Sequence, residues 1–307
     1  MKNTNLHSAK KSKNDEFYTQ YKDIEKELSH YKDHFYGKSI YCNCDNPAHS
    51  NFWKYFVDNF YNLNLSKVVC TYLGEESYVT EYDGIGESSK RLIGDGDFRS
   101  PECVELLREA DVVVTNPPFS LFREYVAQLM EYGKHFLVIG NMNAITYKEI
   151  FPLIRDNHLW LGVASNKTLE FRLSPEYEKW DRMDEAGCKY GKVPAIGWFT
   201  NLIHDFRNKS VPLFKRYSDN TTAYPKYDNY DAIDVSKVAD IPCDYDGVMG
   251  VPITFLCKYN PEQFEIVNCN EHRRSSSVPE KSHGLVKDKD SAINGKPVYV
   301  RILIRRI

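Results

Sequence analysis

Residues 111–125 read Asp-Val-Val-Val-Thr-Asn-Pro-Pro-Phe-Ser-Leu-Phe-Arg-Glu-Tyr. Val112, Val113, Val114 and Thr115 are four β-branched residues in succession, the composition of a strand buried on both faces. Asn116-Pro117-Pro118-Phe119 must end that strand, because proline has no N–H to give to a ladder. Beyond it Leu121, Phe122, Tyr125, Val126, Leu129 and Met130 recur at helical spacing, with Ser120 placed as N-cap and Gly133 as terminator. Strand, rigid turn and helix together form the unit from which a parallel sheet covered by helices is built.

The same alternation extends outward. Residues 39–44, 67–73 and 135–140 read as further strands, and residues 51–60 as a helix with Phe52, Trp53, Phe56, Val57 and Phe60 on one face. Ser100 and Pro101 give an N-cap and a first-turn proline for a helix through residue 110. A helical pattern also covers residues 15–31, preceded by a basic arm, residues 1–14, in which the first thirteen residues carry four lysines and no acid. Past residue 151 the pattern turns to β-type stretches at 159–163, 168–173, 193–202, 251–257 and 297–306, separated by Tyr/Asp-rich connections such as 217–234. The expectation is an α/β fold, mostly parallel with antiparallel late strands, over residues 15–205. A smaller loop-rich region follows over 206–307, with room for a strand returning to the sheet.

Composition narrows the class. The chain has 307 residues with 42% hydrophobic and 27% charged, which excludes a disordered or fibrous protein. No apolar run approaches the length of a membrane span, and the amino-terminal stretch is polar and basic without the apolar segment of a secretory signal. The eight cysteines lack the spacing of a disulfide framework, so reduced thiols and a cytoplasmic location are expected. Cys42, Cys44 and His49, or Cys243, Cys257, Cys269 and His272, invite a zinc reading. With no Cys-x-x-Cys pair and irregular spacing, no metal is expected. The phosphate-binding loop, serine-nucleophile elbow and zinc-protease helix motifs are absent from the sequence, and the net charge of −3 leaves nucleic-acid binding to a local groove.

The Asn-Pro-Pro-Phe tetrapeptide carries the chemistry. Two prolines stiffen the backbone at the carboxyl end of a strand, where open α/β sheets bind ligands. The Asn116 amide oxygen and the Pro117 carbonyl are two acceptors suited to the two hydrogens of an exocyclic amine, and Phe119 offers a flat face to a planar ring. An adenine amine is a poor nucleophile because its lone pair is drawn into the ring. Accepting both hydrogens favours a more tetrahedral nitrogen and exposes that pair to an incoming methyl group. Against a sulfonium electrophile no strong base is required, since the amine becomes acidic once alkylated.

With these flanks the chain resembles the EcoRI-type adenine-specific (N6) DNA methyltransferases, which depend on S-adenosylmethionine. The matching stretches are Asp-Glu-Phe-Tyr-Thr-Gln at 15–20, Gly-Asp-Gly-Asp-Phe-Arg-Ser at 94–100, all of 111–125, Gly-Asn-Met-Asn-Ala-Ile-Thr-Tyr at 140–147, Gly-Trp-Phe-Thr-Asn at 197–201 and Gly-Val-Met-Gly-Val-Pro-Ile at 247–253. The resemblance implies a Rossmann-like methyltransferase fold, with residues 15–205 as the catalytic domain and 206–307 as the target-recognition region. It assigns Asn116, Pro117, Pro118 and Phe119 to catalysis. It places Phe17, Tyr18 and Thr19 along the methionine end of the cofactor, Cys44 and Asp45 in the first strand-to-helix turn, Asp97 and Phe98 at its adenine, and Asp95 with them among the cofactor-binding residues. That first turn departs from the general pattern in having no glycine, and the ribose-binding acid is missing from its usual place, where Tyr72 and Glu75 are the neighbours. Trp198 or Phe199 resembles the aromatic that supports the target base.

A base inside a duplex cannot reach a pocket at a sheet edge, so the target adenine must be rotated out of the stack. The expected partner is double-stranded DNA, with Arg273 and Arg274 in the segment 271–283 as candidate contacts and the amino-terminal lysines adding phosphate affinity. A cognate restriction endonuclease acting on the same site without a stable complex is a further expectation. An RNA or protein-glutamine acceptor, also a planar NH2 group, stands as the alternative.

Overall fold

The computed structural model describes residues 17–74, 76–165, 168–173, 177–228, 231–270, 285–286 and 292–307. The basic arm 1–14, Glu75, Arg273, Arg274 and the segment 271–283 lie outside the described residues. The chain divides into two compact units, one running to Met142 and resuming over Leu161–His204, the other formed by Asn143–Trp160 and Asp205–Ile307.

Through residue 200 the strands are β1 (Phe17–Thr19), β2 (Ser39–Asn43), β3 (Lys67–Thr71), β4 (Tyr78–Tyr82), β5 (Glu87–Arg91), β6 (Val112–Thr115), β7 (His135–Asn141), β8 (Trp160–Leu161), β9 (Leu169–Leu173), β10 (Arg182–Met183), β11 (Lys189–Val193) and β12 (Ile196–Thr200). The helices of the first unit are α1 (Tyr21–Leu28), α2 (Lys32–Phe35), α3 (Asn51–Asp58), α4 (Pro101–Glu109) and α5 (Phe122–Glu131). Eight strands make one sheet in the order β5-β4-β3-β2-β6-β7-β12-β8. Its centre, β3-β2-β6-β7, is parallel, and β4, β5 and β12 run antiparallel to their neighbours. The architecture is mixed α/β around one large mixed sheet. Ile40, Cys42, Val68, Cys70, Val112, Val114, Leu137 and Ile139 join Phe52, Phe56 and Trp198 in one apolar cluster, while Tyr41, Val69, Val113, Phe136 and Val138 are also buried. Burial on both faces explains why these strands are continuously apolar in sequence.

Local chemistry produced several of the elements foreseen. Ser100 accepts from the Cys103 N–H and Pro101 opens α4, as its sequence signature requires. In the first unit three expectations need correction. Residues 17–19 form a strand, not the start of a helix, because Phe-Tyr-Thr pairs antiparallel with β9, and helical periodicity begins only at Tyr21. Ser120 does not cap α5. The Pro118 carbonyl takes the Leu121 N–H at 3.0 Å, so the chain enters through a 3-10 turn over Phe119–Leu121. The stretch 193–202 is not one strand, for Ala195 at φ 58° turns the chain between β11 and β12, which belong to different sheets.

The β4–β5 hairpin was not foreseen. Every residue of β5 is exposed, so it lacks an apolar alternation, and its turn depends on Gly84 at φ 91° and on Asp83 Oδ1 accepting the Ile85 and Gly86 N–H groups. The smaller sheet β1-β9-β11-β10 buries Thr19, Leu169, Phe171, Leu173 and Val193. Behind it, the buried Glu27 of α1 accepts from Tyr31 Oη at 3.0 Å and from the Val163 and Ala164 N–H groups at 2.7 Å each, fixing the loop after β8.

In the second unit, α6 (Phe151–Arg155) accompanies β13 (Ala232–Asp234), β14 (Val248–Pro252), β15 (Phe264–Asn270), β16 (Leu285–Val286), the pair β17 (Ala292–Ile293) and β18 (Lys296–Pro297), and β19 (Arg301–Arg306). Five of these form a sheet of order β13-β14-β19-β15-β16. The final strand thus pairs antiparallel with β14 and β15 rather than returning to the large sheet. The β-type stretch 251–257 is strand only to Pro252, and residues Ile253–Lys258 turn into a 3-10 helix. A nearly buried ion pair, Arg301 Nε to Asp234 Oδ1 at 2.9 Å, receives the Tyr227 hydroxyl at 2.7 Å on the same oxygen.

Candidate active site

The chain leaves β2 toward β3 on one side and leaves β6 toward β7 on the other, so the order of the parallel strands reverses between β2 and β6. Ligands of open α/β sheets bind outside the carboxyl ends at such a point. Two turns meet there. Residues 44–50 lead from β2 into α3, and Asn116-Pro117-Pro118 leads from β6 into the helical turn before α5.

Cys44 occupies the place where a glycine was missed, and it adopts φ 68°, the left-handed conformation that glycine enters without steric penalty. The next residue turns inward. Asp45 receives the Ser50 hydroxyl at 2.9 Å on Oδ1 and lies in hydrogen-bond contact with Thr115 Oγ1 through Oδ2. The Asn116 backbone also bonds to it, and its own N–H donates to Thr71 O at 2.9 Å. Burial pushes this carboxyl up to about 7, against the opposing pull of Thr115, Ser50 and Asn116. Ser50 in turn caps α3, accepting the Phe52 and Trp53 N–H groups at 3.1 and 3.2 Å. Ser50→Ala removes both roles and is expected to cost about 1–2 kcal/mol, read as a lower thermal midpoint.

Asn43, the last residue of β2, accepts the Tyr125 hydroxyl from α5 on its side-chain oxygen. Tyr125 also meets Phe98 edge-on, with ring centroids 5.0 Å apart. The Gly-Asp-Gly-Asp-Phe segment is held from two sides. Toward β3, Gly74 N–H donates to Asp95 O at 2.9 Å. Toward α5, Gln128 Nε2 donates to Phe98 O at 3.2 Å and Arg99 Nη1 to Glu124 Oε2 at 3.0 Å. From the other edge, Asn51 Nδ2 donates to Thr19 O at 2.7 Å and Tyr18 meets His49 edge-on at 6.1 Å, so β1 borders the first turn. Four segments far apart in sequence are therefore assembled around the reversal point.

Comparison with known proteins follows from this arrangement. The family model described as "Adenine-specific methyltransferase EcoRI" matches residues 5–91 and 76–307. The type II methyltransferase M.EcoRI of Escherichia coli is 48% identical, the match covering 98% of this chain and 95% of that one. M.MpnI of Mycoplasma pneumoniae is 40% identical and M.MgeORF184P of Mycoplasma genitalium 39%, each over 97% of both chains. The chain belongs to the adenine-specific methyltransferase EcoRI family. It is accordingly a DNA adenine methyltransferase. No solved structure matches it.

Within this family frame the residues expected at the site differ in their surroundings. Asn116 is half-buried with its amide oxygen withdrawn from solvent, Pro117 is buried, and Pro118 and Phe119 are half-buried. Asp97 accepts a fork from Arg99, Nε at 2.9 Å and Nη2 at 2.7 Å, which holds its carboxyl below the usual range. Asp95 uses its side chain locally, accepting the Asp97 N–H at 3.0 Å. Of Phe17, only the strand pairing with Leu173 is described. Trp198 and Phe199 are core residues, and the expected stacking role does not fit them. Each is 0% exposed, Trp198 against Phe52 and Phe199 against Phe122, so neither ring offers a face to a base. Asp45 is buried and engages Ser50, Thr115 and the Asn116 backbone.

Sequence reasoning missed Asn43, Ser50, Arg99, Thr115 and Tyr125. Ser50 before Asn-Phe-Trp carried a legible capping signal; Asn43, Thr115 and Tyr125 act through partners 70 to 82 residues away, and Arg99, besides its local fork onto Asp97, reaches Glu124 25 residues on, which no local pattern shows. All eight cysteines are free thiols. Among the described residues no group of three or more His, Cys, Asp or Glu is placed to hold a metal ion, and no helix is long and apolar enough to cross a membrane.

Proposed function

We propose that the chain transfers a methyl group from S-adenosylmethionine to N6 of adenine at a specific sequence in double-stranded DNA, on a Rossmann-like methyltransferase sheet. The observation that carries this reading is the contact of Asp45 with Thr115 and Asn116, which sets the turn after β2 beside the Asn-Pro-Pro-Phe segment at the strand reversal. The residues fit the cofactor. Asn43 Nδ2 and Thr19 Oγ1 are buried polar atoms with no hydrogen-bond partner among the described residues, one at the carboxyl end of β2 and the other on β1. Both suit a ligand rich in acceptors and hydroxyls. When bound, the cofactor supplies an electrophilic methyl group on a sulfonium.

The chain's own residues do the rest. Residues 17–19 would border the cofactor, Cys44 shapes the first turn, and Asp95, Asp97 and Phe98 would hold the adenine end, the Asp97 carboxylate accepting from the adenine amine. Asn116 Oδ1 and the Pro117 carbonyl accept the two N6 hydrogens. The Pro118 carbonyl already accepts the Leu121 N–H. Phe119 and the proline faces support the extruded ring, whose rotation out of the helix costs a few kcal/mol. Residues 206–307, with Arg273 and Arg274, read base edges and phosphates. The activity is the modification half of a restriction-modification system, with a cognate endonuclease that shares the site and forms no stable complex.

Adenine specificity of the family takes the acceptor away from a protein glutamine, and the type II relatives favour DNA over RNA. Expression in a methylation-free host followed by methylation-sensitive sequencing is expected to show N6-methyladenine at one recurring sequence. Unmodified DNA, with labelled methyl appearing in RNA instead, would reverse the assignment.

A further inference from the structure

The Asp45–Thr115 contact contains one hydrogen too few. Thr115 Oγ1 lies within hydrogen-bond reach of both the Asn43 carbonyl and Asp45 Oδ2, and a hydroxyl has a single hydrogen. Ser50 and the Asn116 backbone also bond to Asp45, but an ionised carboxylate and a carbonyl are both acceptors only, so one of the two Thr115 contacts would set oxygen against oxygen with no hydrogen between them in a buried setting. We propose that Asp45 is a positioning residue held as the neutral acid, donating its own proton to Thr115 Oγ1 and thereby committing the Thr115 hydroxyl to the Asn43 carbonyl.

With that proton every oxygen has a donor in one direction. The Phe52 and Trp53 N–H groups donate to Ser50, Ser50 donates to Asp45, Asp45 to Thr115, and Thr115 to Asn43. Such a chain of mutually polarised bonds ties the α3 cap to both ligand-bearing turns. No cation is among the groups that face the carboxyl. Cys42, Cys44 and Cys70 lie around it with thiols that burial pushes up, and Tyr125 approaches from α5 with its hydroxyl likewise pushed up. Asp97 faces Cys44, whose thiol its charge also pushes up. Loss of the proton to water at higher pH turns the Thr115 hydroxyl toward the carboxylate and releases the Asn43 carbonyl, loosening the end of β2.

The sign follows from the raised value. Unfolded, the carboxyl loses its proton in the ordinary carboxylate range; folded, it holds the proton to about 7. Stability contributed by Asp45 is therefore complete below that ordinary range and is lost as pH rises toward and through 7.

The inference rests on the reading of residues 43–45 as the cofactor turn. Asp45→Asn reproduces the neutral acid, its amide donating to Thr115. Binding of S-adenosylmethionine by calorimetry at pH 6 and 8.5 is expected to weaken by at least about tenfold more in the parent protein than in Asp45→Asn, since only the neutral form is competent. Taking the ratio of the two proteins cancels titration of the cofactor's own amine. Parallel pH curves would overturn the inference alone, and no binding to either protein at any pH would overturn the cofactor-turn reading with it. Should Asp45→Asn not fold, infrared difference spectra of the parent decide. A protonated-carboxyl stretch present at pH 6, lost by pH 8.5 and shifted in Thr115→Val supports the inference; its absence at pH 6 sinks it.

Discussion

Asn116→Ala is expected to lower methyl transfer to duplex DNA by roughly 10³-fold while cofactor affinity stays within a few-fold of the parent, the scale seen when one preorganised acceptor or donor is removed from a reacting centre. In the proposed function the side-chain oxygen is one of two acceptors for the N6 hydrogens, and the Asn116 backbone bond to Asp45 survives the substitution. The first turn should therefore remain in place. Single-turnover transfer of tritiated methyl, with cofactor affinity measured in parallel, separates the two quantities. An alanine variant that methylates at the parent rate would remove Asn116 from catalysis. One that loses cofactor affinity to the same extent would move it to the binding of the donor.

Gly96→Ala is expected to destabilise the first unit by about 3 kcal/mol or more, lowering its thermal midpoint by roughly 6–10 °C. Gly96 stands at φ 79°, and a Cβ there would lie 2.0 Å from the Tyr72 carbonyl oxygen and 3.0 Å from Ser77 Cβ. The backbone must move away from β3, and with it the Gly74–Asp95 bond that holds residues 94–98 in place. Cofactor affinity should fall with stability, because Asp97 and Phe98, proposed to line the cofactor's adenine end, ride on the same segment. An alanine variant with unchanged midpoint and affinity would show that the close approach to β3 is dispensable.

Much of the sheet was legible locally. Val112-Val-Val-Thr115 and His135-Phe-Leu-Val-Ile139 are strands because their apolar, β-branched content suits burial on two faces, and α4 begins where Ser100 and Pro101 say it does. The β4–β5 hairpin escaped because Glu-Ser-Ser-Lys-Arg has no buried face to impose a pattern. Residues 17–19 were misassigned because a three-residue strand draws its stability from a partner about 150 residues on, at β9. Within the site, the Asn-Pro-Pro-Phe turn was visible as chemistry, whereas the inward turn of Asp45 and the burial of Trp198 and Phe199 depend on neighbours that only folding supplies.

The order of residues alone thus determined the kind of unit, a buried strand feeding a proline-stiffened turn and a helix, together with two acceptors suited to an exocyclic amine. Periodicity, capping and proline chemistry act over a few residues, so they are written in the chain. Which turns face one another, and which carboxyl is sealed from water, was decided by the tertiary structure. Pairing of β2 with β6 brings Asp45 to Thr115 across 70 residues, and burial there sets its proton affinity.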